Sequence, residues 1–289
     1  INNNVKVGVI TYSWRSMPSS MDDIIKYCTE TNIQSIELMG NILEADLGLD
    51  VEIPKRWQYK NLSKEEQKEL DKKIKIAQQK VKDWRLSQPM SKFEAVRKKF
   101  EKAGIEVHTV KFMPSNLSDE EIDYAFRAAK AMGAKAITNE VGNQACERHP
   151  KNAEKNDMYI ALHNHHQPGE EGFSYDTFLD YSPRIMLNFD VGHYWGATDI
   201  NPAQLIEKYH DRIYSIHLKD KTGKTSADPN QNQVWGEGTT PLEDILGLVK
   251  AKYPHIYCDI ELEYAIPEGS DAVQEVGKCV KYAHEILED

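Results

Sequence analysis

Acidic residues and histidines recur at the ends of short apolar runs in the second half of the sequence. Burying carboxylates and imidazoles without compensation costs several kcal/mol for each group. A divalent cation would pair these charges and fix the imidazole tautomers, so the pattern predicts a metal centre that holds one divalent ion. The residues of this pattern include Glu140, His163, Asp190, His217 and Glu261.

The donor types narrow the choice of metal. Carboxylates and imidazoles without a thiolate suit Mn²⁺, Co²⁺, Zn²⁺ or Mg²⁺, and they exclude a structural zinc site built on cysteine. The four cysteines are widely separated and form no C-x-x-C pair, so we expect scattered or buried thiols rather than disulfides.

Eight short apolar, β-branched runs must position these residues. Amphipathic helical patterns lie between them; one follows Ser118, which has capping-box spacing to Glu121. Strands that alternate with helices imply a parallel sheet, and eight such units in 289 residues favour a closed (β/α)8 TIM barrel. We see no domain boundary and predict one domain over residues 1–289. The predicted strands span residues 5–10, 33–38, 105–112, 134–138, 158–163, 185–190, 213–218 and 256–262.

The segment from about 44 to 90 interrupts this alternation of strands and helices. It is heavily charged and strongly helical, with the apolar positions Leu70, Ala77 and Val81. We interpret it as a helical insertion after the second strand that packs on the rim of the barrel. Two alternatives are open for this segment. It could be a solvated charged helix, or it could form a lid or an oligomer contact with Trp57 and Trp84 as anchors.

Alternation along the strands indicates which polar residues face the interior of the barrel. In "DIELEY", Asp259, Glu261 and Glu263 share one face, and the intervening apolar residues take the other face, toward the helices. Active sites of TIM barrels lie at the carboxyl ends of the strands, where the loops converge on one mouth. The same parity turns two further pairs inward: His217 with Lys219, and His163 with His165.

Four motifs in the sequence resemble those of the xylose isomerase-like TIM-barrel superfamily, in particular its sugar phosphate isomerase/epimerase group. They are FDVGH at 189–193, IHLKD at 216–220, WGEG at 235–238 and IELEY at 260–264. The resemblance covers nearly the whole chain outside 44–90. It implies one divalent metal held by acidic residues from two strands, an aspartate and a histidine.

The resemblance assigns three ligand positions directly and leaves a fourth open. Asp190, His217 and Glu261 match the family's ligands. Many sugar epimerases of this family place a glutamate on the fifth strand, whereas this chain has His163 there. The missing carboxylate could come from Glu140, so either residue could complete the site.

A site of this kind suits removal of a proton next to a carbonyl group. Glu140 or Glu261 would take the α-proton of a keto sugar, and Glu261 or His165 would return it. Lys219 could stabilise the developing oxyanion, or it could be a salt-bridged lysine that closes the rim. The predicted catalytic residues are therefore Glu140, Glu261, His165 and Lys219.

Five further residues are candidates for substrate binding. His193 could bind a substrate hydroxyl or orient Asp190, and Gly238 lets the backbone approach a ligand closely in a loop that precedes a helix. Trp195 and Trp235 could stack on a sugar or fill the core. The set predicted to bind substrate is Glu37, His193, Trp195, Trp235 and Gly238.

The net charge of −10 argues against a nucleic-acid backbone or an anionic membrane as partner. We therefore expect a small carbohydrate substrate, and a homo-oligomer remains an open alternative. A metal-dependent lyase or dehydratase on a keto sugar, 3-keto-glycoside or cyclitol is the nearest rival function. An endonuclease IV-like repair enzyme and a sugar-binding protein without activity are disfavoured. Because the chain begins at Ile1 without Met, cytoplasmic and periplasmic or exported locations both stay open.

Overall fold

Eight parallel strands close into a barrel in the computed structural model, which describes residues 5–288. Each strand pairs with its neighbours in sequence, and β8 closes the ring on β1. The predicted TIM barrel is confirmed. The strands are β1 (Val7–Ile10), β2 (Ser35–Met39), β3 (Glu106–Lys111), β4 (Ala136–Glu140), β5 (Tyr159–His163), β6 (Ile185–Asp190), β7 (Ile213–Leu218) and β8 (Tyr257–Ile260).

Helices follow the strands and surround the barrel. None of those described over residues 5–288 has an apolar stretch long enough to cross a lipid bilayer. The α-helices are α1 (Met21–Glu30), α2 (Gly40–Asp46), α3 (Lys64–Ser87), α4 (Met90–Lys102), α5 (Asp119–Ala131), α6 (Asn143–Arg148), α7 (Pro150–Asn156), α8 (Asp176–Leu179), α9 (Val191–Thr198), α10 (Pro202–Tyr209), α11 (Leu242–Lys252) and α12 (Ala272–Glu288).

Capping residues fix where several of these helices begin. Ser20, Ser63 and Ser118 each accept a hydrogen bond from the backbone N–H three residues on, and an acidic side chain at that third position bonds back to the serine N–H. These capping boxes satisfy two backbone donors that a helix start otherwise leaves free. The capping box predicted at Ser118 is confirmed.

The register between strands is regular except at two places. The pairing of β2 with β3 shifts between Ile36 and Glu37, and the pairing of β6 with β7 shifts between Leu187 and Asn188. Such irregularities change the direction of the side chains beside them and occur often next to functional sites.

The segment between β2 and β3 carries α3, the long charged helix predicted there. Leu70, Ala77 and Val81 form part of its buried face, and Trp84 packs partly against the core, whereas Trp57 is 72% exposed. Arg85 near the end of α3 joins this helix to α2 and α5, because its guanidinium pairs with both Glu44 (2.8 Å) and Glu121 (3.0 Å).

All four cysteines are buried free thiols, as predicted. A small antiparallel pair extends from the end of β7, where Asp220–Lys221 pairs with Asn232–Gln233. This hairpin brings the loop after β7 back over the end of the barrel.

His149, between α6 and α7, makes stability depend on pH. Its ring is fully buried, meets the edge of Phe126, and has no hydrogen-bond partner on either nitrogen within residues 5–288. Burial, assisted by the charge of Arg148, lowers its pKa to about 4. The unfolded chain therefore binds a proton near pH 6.5 that the folded protein takes up only near pH 4.

We expect this histidine to remove about 3 kcal/mol of stability as the pH falls from 7 to 4, because one pKa unit corresponds to about 1.4 kcal/mol. His149→Phe should abolish that part of the pH dependence. Denaturant unfolding of both proteins at pH 8, 6 and 4 measures it. The comparison at pH 8, where histidine is neutral in both states, isolates packing changes. Parallel losses of stability in the two proteins on acidification would contradict the assignment.

Candidate metal centre and mouth of the barrel

Four buried side chains from β5, β6, β7 and the end of β8 meet at the centre of the barrel. Each offers one ligand atom, and these atoms lie within 4.8 Å of one another. The Nε2 of His163 is 3.4 Å from Asp190 Oδ2, and the Nδ1 of His217 is 3.0 Å from Glu261 Oε2. This group of His163, Asp190, His217 and Glu261, called here the inner group, could hold a metal ion.

Each imidazole of the inner group has a carboxylate behind it. His163 turns its Nε2 to the centre and pairs through Nδ1 with Glu140 (3.1 Å). His217 turns its Nδ1 to the centre and pairs through Nε2 with Glu37 (2.7 Å). Metal-binding histidines generally have a carboxylate or carbonyl on the second ring nitrogen, because that bond fixes the tautomer and the orientation of the ring. The donor set therefore fits a divalent ion.

The sequence FDVGH explains how the end of β6 directs the Asp190 carboxylate toward the inner group. Asp190 caps α9, because its Oδ1 accepts a hydrogen bond from the His193 N–H at 2.7 Å, which leaves Oδ2 for the centre. Asn164 accepts the backbone N–H of Asp190 at 3.0 Å and holds the strand end in place. A side chain at Gly192 would lie 2.1 Å from the Cγ of Lys219, so glycine there leaves room for that lysine.

Lys219 supplies the positive charge that the inner carboxylates require. Its ammonium lies 2.9 Å from Asp190 Oδ2, 2.7 Å from Glu261 Oε2 and 2.6 Å from Glu263 Oε2. Burial alone would lower its pKa, but the three carboxylates raise it well above the usual range. The geometry favours the salt-bridged alternative for Lys219, since its ammonium is already surrounded by carboxylates.

The electrostatics of the inner group follow from the same contacts. Burial opposes the charged forms of Asp190 and Glu261, but the surrounding cations hold both pKa values below their ordinary range. Burial likewise opposes protonation of His217, and Glu37 and Glu261 on its two sides raise its pKa. Binding of a metal at Nδ1 must therefore displace a proton.

A second set of side chains lines the mouth above the inner group. His165 (44% exposed) pairs with Glu140 (35% exposed) at 3.1 Å, and the Nε2 of His193 (12% exposed) is 3.5 Å from Glu263 Oε2 (20% exposed). The rings of His165 and His193 lie 4.9 Å apart. These four residues, called here the mouth group, are the acid–base side chains that solvent reaches beside the centre.

The two imidazoles of the mouth group have opposite tendencies to ionise. The hydrogen bond to Glu140 raises the pKa of His165. Burial, together with the charge of Lys219, lowers the pKa of His193 to about 3. Burial opposes ionisation of Glu140, but His163 and His165 lower its pKa far below the usual value. The pKa values of these two adjacent imidazoles are therefore shifted in opposite directions.

Three residues predicted to bind substrate have other places in the structure. Glu37 is fully buried beneath His217, out of reach of a ligand at the mouth. Trp235 is buried and packs edge-on against Tyr282 of α12, so it fills the core. Gly238 donates its N–H to Asp220 at 2.9 Å. The structure gives each of these residues another contact, and substrate binding by them stays a prediction.

Asp220 explains the WGEG loop. Its carboxylate accepts hydrogen bonds from the N–H groups of Gly236, Gly238 and Thr240 at 2.9, 2.9 and 3.1 Å. A side chain at Gly238 would lie 2.2 Å from Asp220 Oδ1. The amides that the sequence suggested for a ligand are therefore already paired. Trp195 joins the same loop through its Nε1, which donates to Thr239 at 3.1 Å, and its contact with substrate stays a prediction.

Apart from Trp195, the remaining predicted residues lie in the inner group or beside it. His163 belongs to the inner group, and Glu140 lies one layer outward, behind it. His166, next to the site, is exposed. The predicted site residues did not include Lys111, which pairs with Glu140 at 3.1 Å, or Asn188, or Glu263, for which only the inward direction was predicted. Parity was the available signal for Asn188 and Glu263, since they share a face with Asp190 and Glu261 respectively.

The closed parallel barrel and its polar centre define a class of TIM-barrel proteins whose strand ends form one site. Residues 45–281 match the family model described as xylose isomerase-like TIM barrel. The chain belongs to this family, whose members include enzymes. The matched range includes the segment predicted as an insertion, and its status as an insertion stays a prediction. No curated protein matches the sequence.

Solved structures share the fold at low sequence identity. A sugar phosphate isomerase/epimerase from Parabacteroides distasonis is 16% identical with a TM-score of 0.58, over 98% of this chain and 96% of its own. A probable 3-DHS dehydratase involved in petrobactin synthesis, from Bacillus anthracis, is 15% identical with a TM-score of 0.63, over 97% and 99%. A xylose isomerase domain protein from Alicyclobacillus acidocaldarius is 14% identical with a TM-score of 0.63, over 98% and 100%.

Proposed function

We propose that the protein is a divalent-metal-dependent isomerase or epimerase that acts on a keto sugar or sugar derivative by removing a proton next to a carbonyl group. One observation carries the proposal: a buried group of four metal-type donors lies directly beneath four acid–base side chains that solvent can reach. Small carbohydrates, rather than nucleic acids or membranes, are the proposed partners.

His163, Asp190, His217 and Glu261 would hold the ion. Mn²⁺, Co²⁺, Zn²⁺ and Mg²⁺ all suit two imidazoles and two carboxylates. When bound, such an ion supplies Lewis-acid stabilisation for the negative charge that develops on the oxygens of the substrate. The carboxylates of Glu140 and Glu37 would keep the two imidazoles in place.

The mouth group would move the protons. Glu140 at the end of β4 and Glu263 beyond β8 belong to strands on opposite sides of the eight-stranded ring, so they face the substrate from two sides. Glu140, paired with His165, would remove the α-proton. His193 and Glu263 would hold or return a proton on the other side. Glu261 is bonded to His217 and Lys219, which favours it as a ligand rather than a base.

A lyase or dehydratase is the second candidate, because elimination begins with the same proton removal. The adjacent imidazoles favour it: the ring of His165, whose pKa the Glu140 carboxylate raises, lies 4.9 Å from that of His193 and could donate a proton to a leaving group. The imidazole of His163 in place of the glutamate of many epimerases points the same way.

The decisive experiment incubates the metal-loaded protein with keto sugars, cyclitols and 3-keto-glycosides in deuterated water and follows the products by NMR. Deuterium at the α-carbon of a rearranged sugar supports the isomerase, and loss of water or of an aglycone supports the lyase. A protein that binds an ion but exchanges no proton in any of these substrates would overturn both functions. A protein that neither binds nor is stabilised by Mn²⁺, Co²⁺ or Zn²⁺ would overturn the metal centre itself.

A further inference from the structure

We infer that Glu37 is a positioning residue, which holds His217 so that Nδ1 rather than Nε2 faces the inner group. The inference rests on the proposed metal centre and adds to it a residue from the opposite side of the barrel. Of the inner group, every member comes from β5 to β8, whereas Glu37 reaches the centre from β2.

The contacts of Glu37 leave it no direct role with substrate. Its side chain has no exposed surface, and Oε2 lies 2.7 Å from His217 Nε2 and 2.8 Å from the Asn188 amide nitrogen. Because the Asn188 amide donates to this oxygen, Glu37 acts as a hydrogen-bond acceptor beneath the histidine.

A hydrogen-bond acceptor on one nitrogen of an imidazole determines which nitrogen carries the hydrogen. A carboxylate has no proton to donate, so Nε2 of His217 must carry the hydrogen of that bond. Nδ1 is then the nitrogen whose lone pair is available to a metal, and it faces Glu261 at 3.0 Å. His163 has the reverse arrangement, with Nδ1 bonded to Glu140 and Nε2 toward the centre.

Neighbouring residues hold the Asn188 amide against Glu37. Ser215 donates its hydroxyl to Asn188 Oδ1 at 2.9 Å, which orients the amide so that its nitrogen donates to Glu37. Glu37 and Asn188 each stand at one of the two shifts in strand register, on opposite sides of the barrel. Bulges of this kind re-aim side chains, and here both of the re-aimed side chains bond to each other.

The test compares binding of Zn²⁺ to the wild-type protein and to Glu37→Gln by titration calorimetry. Loss of such a carboxylate beneath a ligand histidine typically weakens binding 10- to 100-fold, and we expect a loss in that range. Glu275→Gln is the matched control. Glu275 is an equally buried carboxylate, but it lies on α12 and accepts hydrogen bonds from Tyr264 (2.8 Å) and Ser270 (2.6 Å). We expect it to bind Zn²⁺ within about threefold of wild type, well short of the 10-fold limit.

Nitrogen-15 NMR of the zinc-loaded proteins provides a readout that a purely structural role would not move. We expect the wild type to show His217 bound through Nδ1 with a proton on Nε2 that exchanges slowly, and Glu37→Gln to lose that slow exchange. Ser215→Ala, a milder change, should weaken binding in the same direction. If the wild type binds Zn²⁺ and Glu37→Gln binds it equally tightly, the inference is overturned and the metal centre stands. If the wild type binds no ion, both are overturned.

Discussion

Replacing Glu140 with glutamine is expected to slow exchange of the substrate α-proton with solvent by about 10²–10⁴-fold, the usual contribution of a general base. The amide keeps the shape of the side chain but cannot accept the proton. Glu140 is the most exposed carboxylate next to the inner group, and its low pKa, held there by His163 and His165, keeps it ionised at neutral pH. The rate of deuterium incorporation into the substrate, followed by NMR, measures the effect.

The same substitution touches the metal centre, and the experiment must separate the two roles. Glu140 stands behind His163, so the amide should also weaken metal binding, and exchange must be measured at saturating metal. Glu170→Gln is the matched control, because it makes the same change in an exposed carboxylate 3.8 Å from His166. Wild-type exchange in Glu140→Gln at saturating metal would show that another group is the base.

The meeting of the four inner-group residues could be predicted because its determinants are local. Alternation in "DIELEY" turns Glu261 inward, and the same rule applies to His163 and His217. The carboxyl ends of parallel strands all lie on one rim of a closed barrel, so residues distant in sequence must meet there. Strand number and side-chain parity were therefore sufficient for this part of the site.

The contacts that the structure gives Glu37, Trp235 and Gly238 are not determined by parity. Glu37 and Asn188 meet across the interior although they are 151 residues apart in sequence. Each follows a shift in strand register that no local sequence pattern predicts. Trp235 and Gly238 belong to a loop whose direction is fixed by Asp220, since that single carboxylate collects three backbone N–H groups. The sequence does not show whether a ligand or an internal carboxylate accepts hydrogen bonds from these amides, because that depends on contacts between distant parts of the chain.

Lys219→Met is expected to destabilise the metal-free protein by about 3–5 kcal/mol at pH 7, because it leaves buried carboxylates without their counter-ion. The ammonium pairs with Asp190, Glu261 and Glu263, and the first two of these are nearly inaccessible to solvent. In the wild type these carboxylates gain stability above the pKa of the unfolded chain, and that gain is lost only as the pH falls below it, toward their lowered folded pKa values. The difference between the two proteins should therefore shrink below about pH 4.

Lys221→Met provides the matched control, because Lys221 is an equally buried lysine two residues away. Its ammonium donates to Asn232 at 3.0 Å, and no carboxylate within residues 5–288 forms an ion pair with it. Burial and the nearby charge of Lys219 lower its pKa. Since this charge is buried without a counter-ion, its replacement by methionine should cost little stability or even add some. Denaturant unfolding of both variants in the presence of a chelator compares them directly.

Adding Zn²⁺ or Mn²⁺ to the same unfolding experiments tests how Lys219 and the ion share the site. The oxygens that Lys219 contacts, Asp190 Oδ2 and Glu261 Oε2, are also the oxygens the inner group turns toward its two imidazoles. An ion there would take over the neutralisation that the ammonium provides, so it should restore more stability to Lys219→Met than it adds to the wild type. Equal stabilisation of the two proteins would mean that the ion and Lys219 do not compete for these oxygens. A metal-free Lys219→Met protein as stable as wild type would contradict the ion-pair account of the centre.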